Sequence, residues 1–277
     1  MKRSGPVTRI LMLSIFLALW AGFQHLAFAV EVEPSRLELS ISPEKPAHGE
    51  LQISNHSSKG VGVRVSAGAY RFAQPGLKLP SCEDWLSFKP DRFTLAAGAS
   101  TTVIYSVTPP SNVVEDTAGE YLAAIQVDQL PINPAAPQAG NITLIPRIAL
   151  PVYLMIQGKE RVNLEISQIQ VSVTPSSEKL LRIDSTLKNR GTVHLRPSGT
   201  FALFQSGGDL LRAGPLGKSI PVLPTATLTV PSILPLPPPA RYRLVITVEP
   251  QAEKVLQREI SFEVTKNGQV ILEKGGK

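Results

Sequence analysis

Ala118-Gly119-Glu120-Tyr121-Leu122-Ala123-Ala124-Ile125-Gln126-Val127 and Ala240-Arg241-Tyr242-Arg243-Leu244-Val245-Ile246-Thr247-Val248 begin alike, with a tyrosine opening an alternating stretch. Working outward, the same two features precede each. Before the first stand Ile53-Ser54-Asn55 and the corner Leu95-Ala96-Ala97-Gly98; before the second, Leu187-Lys188-Asn189-Arg190-Gly191 and Val222-Leu223-Pro224. An Asn-bearing turn after a strand, a Leu-Pro or Leu-Gly corner and a Tyr opening a strand are components of β-sandwiches. The repeat predicts an all-β chain of two tandem immunoglobulin-like sandwiches. Tyr121 and Tyr242 take the structural position from which a hydroxyl turns onto nearby backbone and pins a corner.

The rest of the chain agrees with strands. Period-2 runs recur at Leu37 to Ile41, Gly60 to Val65, Thr102 to Val107, Val162 to Ile166, Leu180 to Ser185 and Arg258 to Val264. Such runs bury one face and wet the other, as antiparallel sheets do. Turn material separates them at Asn55-His56-Ser57-Ser58, Pro109-Pro110-Ser111-Asn112 and Gly207-Gly208-Asp209. The Pro-bearing stretch Leu130 to Gly140 reads as a surface loop. Ser232 to Ala240, with Pro237-Pro238-Pro239, reads as a rigid connector.

The first 29 residues have the form of an export signal. Lys2, Arg3 and Arg9 supply the basic start, Ile10 to Phe23 is almost unbroken apolar sequence, and Ala27-Phe28-Ala29 is a small-x-small cleavage site. That run is too short for a membrane span, so none is expected after cleavage. Residues 30–157 then form the first domain, 158–265 the second and 266–277 a polar tail, with the boundary near Gln157-Gly158-Lys159-Glu160.

The formal charge of +6 falls to +3 once the three basic residues of the leader are removed, since no acidic residue leaves with them. The basic residues are scattered and no aromatic interleaves them, so no nucleic-acid footprint is present. Cys82 stands alone, which excludes an intramolecular disulfide and leaves an incidental thiol as the expectation. The histidines outside the leader, His48, His56 and His194, have no metal-ligand spacing, and no Gly-x-Ser-x-Gly elbow or His-Glu-x-x-His motif occurs. Glu83-Asp84 and Glu115-Asp116 are adjacent pairs that point opposite ways on extended chain. Neither catalysis, a cofactor nor a metal is expected.

From Val30 to about Ile156 the order of features resembles the N-terminal domain of the PapD-like periplasmic pilus-assembly chaperones. A first strand carries Arg36; then come the Leu95 to Gly98 corner, Thr108-Pro109-Pro110, Glu115-Asp116 ahead of the Tyr121 strand, the Pro-bearing loop and a long strand from Asn141. The resemblance implies a periplasmic chaperone for secreted pilin-like subunits, with an outer-membrane usher as a further partner. It implies that the long strand is lent to the subunit, a case of β-augmentation. Ile142, Leu144, Ile148 and Leu150 share the face that would be donated, with Asn141, Thr143, Arg147 and Ala149 on the other. Pro146 lacks an N–H and marks an edge or bend. An ordinary core strand is the other reading of the same residues.

The family also grips the subunit's C-terminal carboxylate with two basic residues in the cleft between the domains. Arg36 falls at the first position. The second aligns to Ala149, and Arg147, on the same face, is the expected substitute; both arginines as solvated surface charges is the bland reading. The departures at Ala149 and Pro146 keep open a second function, an exported structural or adhesion module binding an envelope protein or polysaccharide. An uncapped apolar edge is an aggregation hazard, which a self-capped dimer would relieve.

Overall fold

The computed structural model describes residues 30–42, 45–71, 77–114, 118–132, 144–175, 177–217, 221–251 and 254–273. The leader at 1–29, Glu115-Asp116, Asn141, Ile142, Thr143 and the last four residues of the tail lie outside the described residues. Among those described, the chain is strands and turns with two short 3₁₀ segments, Glu83–Trp85 and Ser111–Val114. No helix there is long and apolar enough to cross a membrane.

Nine strands build the first sandwich: β1 (Val30–Glu33), β2 (Leu37–Ile41), β3 (Ala47–Asn55), β4 (Val61–Gly68), β5 (Leu86–Lys89), β6 (Arg92–Leu95), β7 (Ser100–Val107), β8 (Glu120–Leu130) and β9 (Arg147–Ile156). One sheet runs β1-β3-β7-β5 and the other β2-β9-β8-β4-β6. The chain crosses between sheets at Pro34-Ser35-Arg36, so β1 belongs to one face and β2 to the other. Period-2 placement of apolar residues decides which side chains meet between the sheets. Leu51 and Ile53 of β3 and Val103 and Val107 of β7 close on Val63 and Val65 of β4, Ile125 and Val127 of β8, and Val152 and Leu154 of β9.

The second sandwich has eight strands: β10 (Leu164–Val173), β11 (Leu180–Asn189), β12 (Ser198–Gln205), β13 (Leu210–Pro215), β14 (Thr227–Pro235), β15 (Ala240–Gln251), β16 (Lys254–Val264) and β17 (Val270–Leu272). Its sheets run β10-β11-β14 and β13-β12-β15-β16-β17. Leu181, Ile183, Leu203, Leu244, Ile246 and Phe262 form its separate core.

The repeated turns are built alike. Asn55 is 1% exposed, and its amide donates to Lys59 O at 2.8 Å and Ala96 O at 2.9 Å while Oδ1 accepts from Ser57 N. Asn189 is fully buried and donates to Val193 O and Val222 O, each at 2.8 Å, while Oδ1 accepts from Gly191 N. Each asparagine thus ties its own turn to the corner that follows in sequence. A short amide with two donors and an acceptor satisfies three buried backbone groups at once.

β8 departs from simple alternation, because both its faces are covered. Tyr121, Ala123, Ile125 and Val127 enter the first core. Leu122, on the opposite face, packs with Tyr153 of β9 and with Leu223 and Ala226 of the second sandwich. The long apolar stretch from Ile142 is also divided. Leu144 and Ile145 are exposed and outside any strand, and β9 begins only after Pro146, whose carbonyl accepts from Gln129 N at 2.9 Å.

Candidate strand-addition edge and interdomain cleft

β9 is paired along its length on one side and only in part on the other. β8 matches it antiparallel from Asp128↔Arg147 to Glu120↔Met155. β2 joins it in parallel only from Leu37↔Val152 to Ile41↔Ile156. Arg147 to Pro151 therefore have no strand beyond them among the described residues. Pro151 suits an edge, where its missing N–H removes nothing from a ladder. The stretch is apolar at Ile148, Ala149 and Leu150, and the segment leading into it exposes Leu144 at 83%.

The face assignments correct the donor reading of two residues. Leu150 is 1% exposed within the first core, and Ile148 is half-buried against it. Inward alternation along β9 commits both to their own sandwich, through Val152, Leu154 and Ile156 on the same side. Of the four donor positions, Leu144 is the one that stands open; Ile142 lies outside the described residues.

The two arginines named from sequence are not brought together. The β2–β9 register sets Arg36 beside Pro151, four residues along from Arg147, or about 13 Å at strand rise. Arg147 is instead bound to Asp128 of β8, Nε to Oδ1 at 2.5 Å, and Arg64 of β4 donates to the other carboxylate oxygen at 2.5 Å. The Asp128 side chain is wholly buried, and the Arg147 bond, with that from Arg64, holds its carboxyl below the ordinary value of 3.8 despite the burial. Ala149 is exposed and carries no charge.

What joins Arg36 is Arg196, from the second sandwich. Arg36 Nε donates to Glu38 Oε1 at 2.7 Å, and Arg196 Nε donates to the same oxygen at 2.9 Å. Burial alone would raise the Glu38 carboxyl, but these two bonds outweigh it and hold it below its ordinary value. Behind them, buried Glu120 at the head of β8 accepts from His194 N and His194 Nδ1, each at 2.5 Å. Tyr153 stacks on His194 with ring centroids 4.2 Å apart, the Arg196 guanidinium lies 5.3 Å from the Tyr153 centroid, and the Tyr70 and Tyr153 hydroxyls bond at 2.9 Å. Burial and the Tyr153 contact push the Tyr70 phenol well above its ordinary range, so it stays protonated. Gly119 fits the joint because any Cβ there would meet Lys159 O at 2.6 Å, as well as the Thr192 side chain.

These groups border a cleft of about 430 Å³ between the sandwiches. Pro151, Tyr153 and Tyr70 form one wall, and Val222, Leu223 and Leu228 the other. Its charged lining residues are Arg36 and Arg196; neither Glu38 nor Glu120 lines it. The cleft opens where the unpaired edge of β9 ends, at Pro151.

Sequence reasoning missed Arg196, His194, Tyr153 and Tyr70. One signal was available: His194 and Arg196 flank Leu195, which is buried and bridged to Val222, so alternation turns both away from the second core. Tyr242 donates to Pro238 O at 2.7 Å and packs on Phe262, while Tyr121 packs on Trp85 with centroids 4.4 Å apart. Cys82 is buried with its N–H on Leu122 O, and burial pushes its thiol up to about 12, which keeps it from acting as a thiolate near neutrality.

No family model and no curated protein matches this chain. Solved structures similar in chain path include the class 5 fimbriae chaperone CfaA, at 10% identity and TM-score 0.46 over 83% of this chain and 98% of that one. The Escherichia coli chaperone DraB shares 14% identity at TM-score 0.42, over 84% of this chain and 95% of that one. A chain from the Salmonella enterica complex of the SafA pilin with the SafB chaperone shares 12% at TM-score 0.42, over 84% and 97%. At such identities the likeness is one of fold and carries no residue-by-residue correspondence.

Proposed function

We propose that this chain is an exported chaperone of the PapD-like kind, which holds a pilin-type subunit by lending it the open edge of β9. The observation that carries the reading is the apolar edge from Arg147 to Pro151, unpaired on one side and leading into the Arg36–Arg196 cleft. Main-chain bonds of an added strand would contribute about 0.5–1.5 kcal/mol each. Burying Leu144 in a partner groove would add about 1.5–3 kcal/mol. The subunit's terminal carboxylate would be held by Arg36 and Arg196, since guanidinium forks suit a carboxylate through paired hydrogen bonds. Arg147, tied to Asp128, would instead fix the start of the edge.

A second reading has its own support. Leu150 and most of Ile148 are spent on the chain's own core, which suits a structural module using this edge against a stable envelope protein. Amide hydrogen exchange on the purified protein, with and without a pilin-type subunit lacking its last strand, separates the two. New protection of amides in Arg147 to Leu150 on complex formation is the expected result. Protection confined to other strands, or no complex, would sink the chaperone reading.

A further inference from the structure

A row of charge crosses the outer face of the β2-β9-β8-β4-β6 sheet, near the pole of the first sandwich away from the second. The ladders pair Arg147 with Asp128, Asp128 with Arg64, and Arg64 with Arg92, so four adjacent strands carry four charged residues side by side. Neighbouring strands lie about 4.8 Å apart, which spreads the three guanidiniums over roughly 15 Å. The wholly buried Asp128 carboxylate takes Nε and Nη2 of both Arg147 and Arg64. Nη1 of each, and the guanidinium of exposed Arg92, make no hydrogen bond among the described residues. One buried anion thus holds two cations in place, and three arginines against one aspartate leave the row at +2. Beyond the row the surface turns apolar. Ile145, two residues ahead of Arg147, is 49% exposed, Leu144 beside it 83%, and Ile132, four residues past Asp128, 48%. Gln129 N donates to Pro146 O, which keeps the two arms together past the last ladder pair. Ile132 Cδ1 reaches over Gly60, next to exposed Lys59. The carboxylates at this pole are Asp128, held by its arginines, and Glu31, bonded to His56 on the other sheet; Asp91 lies one residue farther from the pole than Arg92.

Cations set behind a projecting apolar rim fit one kind of environment, the surface of an anionic bilayer. There, apolar side chains sink about 5–10 Å into the headgroup boundary while cations meet the phosphates. Ile145 and Ile132 stand two and four residues beyond the row, about 7 and 13 Å at strand rise, which is the scale of that depth. We infer that this pole is a membrane-docking surface, and that its ligand is the phosphate headgroup layer of an anionic bilayer. A free oxyanion is the poorer occupant: exposed ion pairs contribute little one at a time, and a small ion leaves Ile132, Leu144 and Ile145 in water. The chain also enters at this pole, since Val30 pairs with Asn55. A chain still carrying the leader read from its sequence would therefore present this pole to the bilayer it crosses. The inference does not depend on subunit capture, but the two compete for Leu144. A subunit added along β9 would cover that side chain and lift the pole from the lipid.

The test is co-sedimentation of the purified chain, without its leader, with vesicles of phosphatidylcholine alone or mixed equally with phosphatidylglycerol. Binding to the anionic vesicles should be at least about tenfold tighter than to the neutral ones and should weaken as salt is added. Lys59→Gln with Arg92→Gln should lower it by about tenfold or more. Ile132→Ser with Ile145→Ser should have an effect of about the same size. Arg212→Gln with Lys254→Gln removes equal charge from the second sandwich and should leave binding unchanged; an equal loss there would overturn the pole in favour of a general charge effect. Full competition by glycerol phosphate, with no effect of the isoleucine changes, would overturn membrane docking and leave a simple oxyanion site. Absence of binding to either vesicle would overturn the inference outright, with subunit capture untouched.

Discussion

β9 and β16 are the last long strands of their sandwiches, and they treat their outer edges in opposite ways. β16 carries Lys254, Arg258, Glu259 and Glu263, is capped by β17 from Phe262↔Leu272 to Val264↔Val270, and sends Arg258 Nη1 to the carbonyls of Ile166 and Ser167, each at 2.7 Å. β9 leaves Arg147 to Pro151 uncovered and fills that stretch with Ile148, Ala149 and Leu150. Charges on an edge, a short covering strand and a side chain that occupies free carbonyls are all ways of preventing another chain from adding on. Two copies of one architecture thus show one edge defended by charge and a three-residue cover, and one left open and uncharged beyond Arg147. The difference supports the proposal that a binding edge lies in the first sandwich.

The largest effect expected bears on what the copies share. Asn55→Ala and Asn189→Ala each strand two buried carbonyls and one N–H, at roughly 2–4 kcal/mol apiece given about 1–3 kcal/mol per orphaned group. Denaturant unfolding followed by Trp85 fluorescence, the tryptophan on Tyr121 in the first sandwich, should register Asn55→Ala strongly and Asn189→Ala weakly. Equal responses would mean the two cores unfold as one and the comparison of independent copies fails.

Next come the edges themselves. Leu144→Asp with Ile145→Asp should weaken capture of a pilin-type subunit by at least about tenfold. Val255→Asp, at an exposed position on β16, should leave capture unchanged. A loss from the β16 change equal to that from the Leu144 and Ile145 change would show that openness of the edge does not decide binding.

A smaller contrast separates the arginines. Arg196→Ala should reduce subunit affinity by about tenfold, in line with roughly 1.5–3 kcal/mol for a charge-assisted bond. Arg147→Ala should cost less in affinity and act mainly on Asp128. The sign follows from the depressed Asp128 carboxyl: its contribution to stability is complete above the ordinary value of 3.8 and fades as pH falls through the lower folded value. The stability gap between the unaltered protein and Asp128→Asn should therefore be present at neutral pH and vanish in acid. A gap that persists once Asp128 is protonated in the folded protein would mean that packing, not the ion pair, makes the difference.

The fold was legible because each of its signals is local. The turn at Asn55 and that at Asn189, the corners they reach and the strands opened by Tyr121 and Tyr242 can each be read from a few consecutive residues. The cleft was only half legible. Alternation correctly put Arg147 and Ala149 on one side of their strand, but the neighbour of Arg36 is decided by the β2–β9 register and by how the second sandwich docks, both long-range properties. Arg196 lies 160 positions from Arg36, and nothing near either names the other. The burial of Leu150 was hidden for a similar reason: period 2 tells which residues share a face, and only the sheet's place in the sandwich tells which face is inside.

Glu38 gives the cleft a property that a bare pair of arginines would lack. Under the proposed function, an arriving carboxylate would meet two guanidiniums whose Nε atoms already bond one Glu38 oxygen. It would share these cations with Glu38, which stays tethered two residues from Arg36 and offsets part of their charge. The net gain on loading would be correspondingly smaller than for two unpartnered cations. Such a tethered rival would suit the proposed site to passing a cargo on, with holding left to the strand edge.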